Sequence, residues 1–173
     1  MKHSHTSIHD VCRTPLLAVA CLVLGGIQCA QADAVITFHG KLNEAPPCVV
    51  NGNELIKVDF GDEVMTTRLD GKNYRQEVRF KVDCSAATSN YQRVRISGPL
   101  ADFNLGGKGL LNGGQNGFGL ALYNGENPMA PGEWINFTAP TVPPLFVVPV
   151  KKDGESLGEG YFRTLASLVV DYQ

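Results

Sequence analysis

No window of this chain sustains an apolar repeat near 3.6 residues, and its 19 glycines and 10 prolines are scattered throughout, so amphipathic helices have little to build on. Short segments alternate apolar and polar residues instead. Strands are expected at about 55–60, at 76–84 with Val78, Phe80, Val82 and Cys84 on one face, and at 92–97 with Val94 and Ile96 inward. Others are expected at 118–123, 134–138, 145–150 and 160–172. The pattern describes an all-β sandwich of antiparallel strands. Stretches such as Gly106-Gly107-Lys108-Gly109 and Asn112–Gly117 are read as turn-rich loops. The glycine run is not a phosphate cradle, since no GK[ST] ending and no helix follow it.

The last of these segments is unusual. Counted every second residue, one face carries Gly160, Phe162, Thr164, Ala166, Leu168, Val170 and Tyr172, the signature of a half-buried strand. A strand this apolar at an open sheet edge invites pairing, so either another part of the chain or a partner is expected to cover it.

At the other end, Lys2 and Arg13 precede the apolar run Pro15–Ile27 and the small-residue pattern Ala30-Gln31-Ala32. Residues 1–32 read as a secretory signal peptide, cleaved before Asp33 or two residues later after Ala34. The apolar run is shorter than the roughly 20 residues of a spanning helix. Cleavage before Asp33 leaves 141 of the 173 residues, the size of one domain. Of four histidines and five cysteines, only His39, Cys48 and Cys84 remain. In an exported chain that cysteine pair is expected as a disulfide, which stabilises a fold by roughly 2–4 kcal/mol. The mature chain has 13 basic and 16 acidic residues and no basic run, which argues against nucleic acid or an anionic membrane as partner.

The segment before Cys48 stands apart. Residues 35–42 alternate, with Ile36, Phe38, Gly40 and Leu42 on one face and Val35, Thr37, His39 and Lys41 on the other. Pro46-Pro47 then separates them from the rest, because two prolines cannot donate ladder hydrogen bonds and hold the link extended. This is a strand on a stalk.

Catalytic chemistry has little material. A single mature histidine supports neither a His-based metal site nor a triad, and no cofactor motif is present. Asp59, Asp62 and Glu63, and separately Asp153 and Glu155, could serve a small secreted hydrolase, but read better as solvated turn acids. Trp134 with Tyr123 could make a sugar-stacking platform, so a self-contained secreted carbohydrate-binding sandwich is the alternative reading.

Several features stand in a specific order: the alternating arm with Gly40 in its middle, the Pro-Pro-Cys48 junction, Val58-Asp59-Phe60-Gly61, Cys84 closing the second strand, Phe118–Tyr123, and an ending that runs from Gly160 to a penultimate Tyr172. Together they resemble pilin subunits of the chaperone-usher family, over essentially the whole mature chain. The resemblance implies an incomplete immunoglobulin-like β-sandwich, lacking its final strand, with an N-terminal donor-strand extension. It divides the chain into a leader (1–32), a donor arm (33–46) and a pilin domain (47–173). Ile36, Phe38, Gly40 and Leu42 would enter a neighbour's groove. Gly160, Phe162, Ala166, Leu168, Val170 and Tyr172 would line this chain's own, and a periplasmic chaperone would grip the carboxylate of Gln173. Cys48 and Cys84 match the family's disulfide. Glu44 departs from the pattern, since an apolar residue would suit the next inward position after Leu42 better. The implied partners are the chaperone, an outer-membrane usher and neighbouring pilins, and the implied destination is a surface fimbria. An Ala/Thr content lower than that of a rod-forming major pilin favours a minor, tip or adaptor subunit.

Overall fold

A computed structural model describes residues 36–42 and 46–173. The expected leader, the mature start at Asp33, Val35 and Glu44 lie outside the described residues. The chain divides between Lys41 and Leu42 into two units, and every strand among the described residues belongs to the second. Residues 36–42 have no regular secondary structure, and Ile36, Phe38 and Leu42 are exposed.

Eleven strands follow: β1 (Val49–Val50), β2 (Gln76–Glu77), β3 (Val82–Asp83), β4 (Tyr91–Ser97), β5 (Leu100–Leu105) and β6 (Lys108–Asn112). The rest are β7 (Phe118–Asn124), β8 (Asn127–Met129), β9 (Ile135–Thr138), β10 (Leu145–Lys151) and β11 (Ser167–Tyr172). One antiparallel sheet has the order β2-β10-β7-β6-β5, with β8 also paired to β7. A second has the order β11-β4-β9, and β1 pairs with β3 beside them.

The core lies between the two larger sheets. Val94 and Ile96 of β4 and Phe137 of β9 meet Phe118, Leu120 and Leu122 of β7 and Leu145 and Val147 of β10. Each set occupies alternate positions of its strand, as burial of one face demands. β7 is buried on both faces, because Ala121 turns away from this core into a smaller cluster with Leu110 and Val150. Gln92 is the exception at an inward position, and its side-chain amide donates to the Ser89 carbonyl at 2.7 Å. Burying an amide is tolerable when a partner is supplied.

Three departures from the expected strands are informative. Residues 100–112, where no strand is expected and Gly106-Gly107-Lys108-Gly109 reads as turn-rich, form a hairpin: Leu105 pairs with Lys108, leaving Gly106 and Gly107 as a two-residue turn with φ of 57° and 81°. Two successive positive φ values are what a tight hairpin turn needs, and glycine supplies them without steric cost. The expected strand at 76–84 is interrupted: β2 joins the six-stranded sheet through β10, while β3 pairs with β1. Phe80 and Val82 are nonetheless buried on one face, as the alternation predicts. Finally, 55–60 forms no strand and 160–172 does so only from Ser167, although both remain apolar at alternate positions. The reason is the absence of a neighbouring strand, and it defines the site.

Candidate functional site

Two segments of the domain have no backbone partner. Between Leu55 and Val64, and again between Ser156 and Ala166, no main-chain group is hydrogen-bonded to another among the described residues. Buried, such groups would be costly, but here they border open space. Between the two segments lies a cleft of about 1950 Å³. Its floor is the main core: Ile96, Leu111, Phe118, Leu120, Leu122 and Val147 all reach it. Its walls contribute Ile56, Val58 and Phe60 on one side and Phe162 and Leu168 on the other, all half-buried.

β11 continues the second wall. It pairs with β4 alone, so its other edge has no strand among the described residues. Ser167 lies opposite Ser97 and Tyr172 opposite Gln92, and the Gln173 N–H donates to the Tyr91 carbonyl at 3.4 Å. Hydrogen-bonded and non-bonded pairs alternate in an antiparallel ladder, so the main-chain groups of Leu168, Val170 and Tyr172 turn to the open edge. In keeping with this, the Tyr172 N–H is met by a side chain, the Asp171 carboxylate at 2.9 Å. Asp171 also accepts a 2.7 Å bond from the Arg93 guanidinium across the β4–β11 pair. That bond is the main reason its carboxyl is held below the ordinary aspartate value, with the Tyr172 N–H adding to it.

The residues expected to form the groove are not all placed alike. Gly160, Phe162, Ala166 and Leu168 line the cleft. A side-chain carbon added at Gly160 would meet nothing within 4 Å, so this part of the wall is open. Val170 and Tyr172 do not line it: Val170 packs against the core, and the Tyr172 hydroxyl donates to the Pro46 carbonyl at the root of the arm. The Gln173 side-chain amide donates to the Gln92 carbonyl at 2.7 Å. The opposite wall, 54–65, carries as much of the cleft as the terminal segment does, and was not assigned to the groove from sequence. Its signal was present in the alternation Ile56, Val58, Phe60, which resembles an ordinary paired strand.

Cys48 and Cys84 are joined by a disulfide that spans 36 positions of sequence, with Cα atoms 4.4 Å apart. It links the residues flanking the β1–β3 pair.

Trp134 and Tyr123 make no joint platform. Trp134 precedes β9, with the guanidinium carbons of Arg93 and Arg95 at 4.5 and 4.4 Å from its ring. Tyr123 is in the other sheet, under Arg75 at 5.2 Å, and its hydroxyl donates to the Gly71 carbonyl. Asp59, Asp62, Glu63, Asp153 and Glu155 are exposed, and the Asp59 carboxylate closes a turn by accepting the Gly61 N–H at 2.8 Å. No helix among the described residues is long and apolar enough to cross a membrane.

The domain is therefore a β-sandwich short of one strand, with a core that opens along the line the missing strand would occupy. Residues 36–173 match the family described as fimbrial protein, and the chain belongs to that family of structural subunits. It is 33% identical over 132 residues to the uncharacterized fimbrial-like protein YfcR of Escherichia coli (strain K12), covering 74% of each chain. It is 29% identical over 154 residues to the minor fimbrial protein PrsF of Escherichia coli, covering 82% of this chain and 89% of the relative. Among solved structures, the P pilus adaptor subunit PapF aligns with a TM-score of 0.56 at 22% identity, over 75% of this chain and 98% of its own. The P pilus rod subunit PapA aligns with a TM-score of 0.53 at 16% identity, over 82% and 100%. At these identities the structural likeness is one of fold. The resemblance to pilins is thus borne out in family and in architecture.

Proposed function

We propose that the chain is a fimbrial subunit assembled by the chaperone-usher pathway through donor-strand complementation and exchange. The leader (1–32) is removed on export to the periplasm, residues 33–46 form the donor arm, and residues 47–173 form the domain that accepts one. The observation that carries this reading is the open cleft, bordered by two segments, 55–64 and 156–166, that lack backbone partners among the described residues. A strand inserted there can bond to both and complete the sheet, the strand-addition mode of recognition.

Magnitudes support the reading. An arm that buries Ile36, Phe38 and Leu42 gains roughly 1.5–3 kcal/mol for each side chain, together about 5–9 kcal/mol. That is comparable with the entire stability of an ordinary domain, about 5–15 kcal/mol. An arm in the cleft therefore decides whether the sandwich is stable. Gly40, with no side chain, suits the point where the wall comes closest.

In the periplasm a chaperone strand would occupy the cleft along Gly160, Phe162, Ala166 and Leu168 and continue along the edge of Val170 and Tyr172, with the carboxylate of Gln173 as its anchor. At the usher, the arm of the next subunit would replace it. The relation to a minor fimbrial protein favours a minor position over the rod.

The test is to append a copy of residues 35–42 after Gln173 through a short flexible linker. The complemented chain is expected to be monomeric and to melt well above the unmodified mature chain, and Phe38→Asp in the appended copy should abolish the gain. Equal melting temperatures for all three, with the unmodified chain a soluble monomer, would overturn the proposal.

A further inference from the structure

The charge around the cleft points to the kind of arm it accepts, an inference that rests on the donor-strand reading. Glu54, Asp59, Asp62, Glu63 and Glu159 all line the cleft and all are exposed. None of them forms an ion pair among the described residues. Only Arg68 and Arg163 are basic among the lining residues, and Lys57 of the same wall is not one of them. The margin is therefore acidic along 54–63, with four carboxylates, whereas on the terminal side Glu159 is matched by Arg163.

An inserted strand turns alternate side chains inward and the others outward. Apolar pockets read the inward row. The outward row runs beside the carboxylates of 54–63, where a like charge is repelled and a basic side chain is attracted. This chain's own arm has the matching pattern: Ile36, Phe38 and Leu42 alternate with Thr37, His39 and Lys41, and no acidic residue falls between Asp33 and Glu44. We infer that the cleft selects, among arms of suitable apolar pattern, those with basic side chains at the outward positions, the type of arm this chain itself presents. Selection by marginal charge acts mainly on the rate of association and weakens with salt.

The mature chain, refolded with a fluorescent peptide of residues 35–42, is challenged with that peptide unlabelled, with one carrying Lys41→Glu and His39→Glu, and with one carrying Ile36→Asp and Phe38→Asp. At low salt the acidic-face peptide is expected to compete about tenfold less well than the native sequence, with the difference shrinking several-fold in 0.5 M NaCl. The triple variant Asp59→Asn, Asp62→Asn, Glu63→Gln should also reduce the difference. Equal competition by the native and acidic-face peptides at both salts, with the apolar-face variant inactive, would overturn charge selection and leave the groove intact. If the labelled peptide fails to bind, or the apolar-face variant competes as well as the native one, the donor-strand reading itself falls and the inference with it.

Discussion

The ring of Phe162 lies 4.8 Å from that of Phe118, nearly perpendicular to it, and 5.7 Å from that of Phe60. Phe118 belongs to the buried β7, and Phe60 and Phe162 belong to opposite walls of the cleft. One side chain therefore ties the terminal segment to the core and the two walls to each other, where no backbone bond does so. Edge-to-face aromatic pairs add to simple burial.

Replacing Phe162 with Ala should be more damaging than its partial exposure suggests. The loss includes both ring contacts and leaves space beside the cleft floor, so about 2–4 kcal/mol is expected. Urea unfolding of the arm-complemented chain measures it. A change under about 0.5 kcal/mol would mean that the ring contributes nothing to holding the wall.

The disulfide yields a second expectation. Cys48 and Cys84 close a loop of 36 positions, for which the chain-entropy relation gives about 4 kcal/mol. The double replacement Cys48→Ser, Cys84→Ser should lower unfolding stability by about 3–4 kcal/mol without changing the arm sequence or the cleft lining. Denaturant midpoints of the complemented chain, with and without the bridge, test this.

The parts legible in sequence are those whose partners lie in the same chain. Alternation located β4, β7 and β10 to within a residue or two at each end, and it turned Val94 and Ile96 inward, where the core has them. β5 and β6 escaped because Gly106-Gly107-Lys108-Gly109 reads as a turn-rich loop with no strand assigned to either side of it. Two glycines directly after the alternating Ala101, Phe103 and Leu105 were the available signal. The opposite error arose at 55–60 and 160–166, where the pattern demands a strand but the domain supplies no neighbour to pair with. Side-chain periodicity reports which face is buried, whereas a strand also needs a partner for its backbone. Those two mismatches coincide with the walls of the cleft.

Acid should expose the contribution of Asp171. Its folded value is lowered, chiefly by the Arg93 hydrogen bond, so the stabilisation is present above the unfolded aspartate value of about 4 and is lost as pH falls through the folded one. As pH falls below about 4, the stability of the native chain should fall more steeply than that of Asp171→Asn, whose side chain does not titrate. Parallel curves across that range would show that the β4–β11 ion pair does not respond to acid as its geometry requires.

The penultimate Tyr172 offers a more local test. Its hydroxyl donates to the Pro46 carbonyl, so the last strand is tied to the root of the arm at the proline pair, close to the disulfide at Cys48. The ring itself is half-buried and should stay in place when only the hydroxyl is removed. Tyr172→Phe is therefore expected to cost about 0.5–1.5 kcal/mol, the net value of one hydrogen bond, and to leave the melting cooperativity unchanged. Amide hydrogen exchange separates a local role from a general one. Exchange should accelerate at Cys48–Val50 and at the end of β11, while β7 and β10 stay protected to the same degree as in the native chain. Uniform acceleration across both sheets would show instead that the hydroxyl supports the whole domain and is no specific tie between the arm root and the last strand.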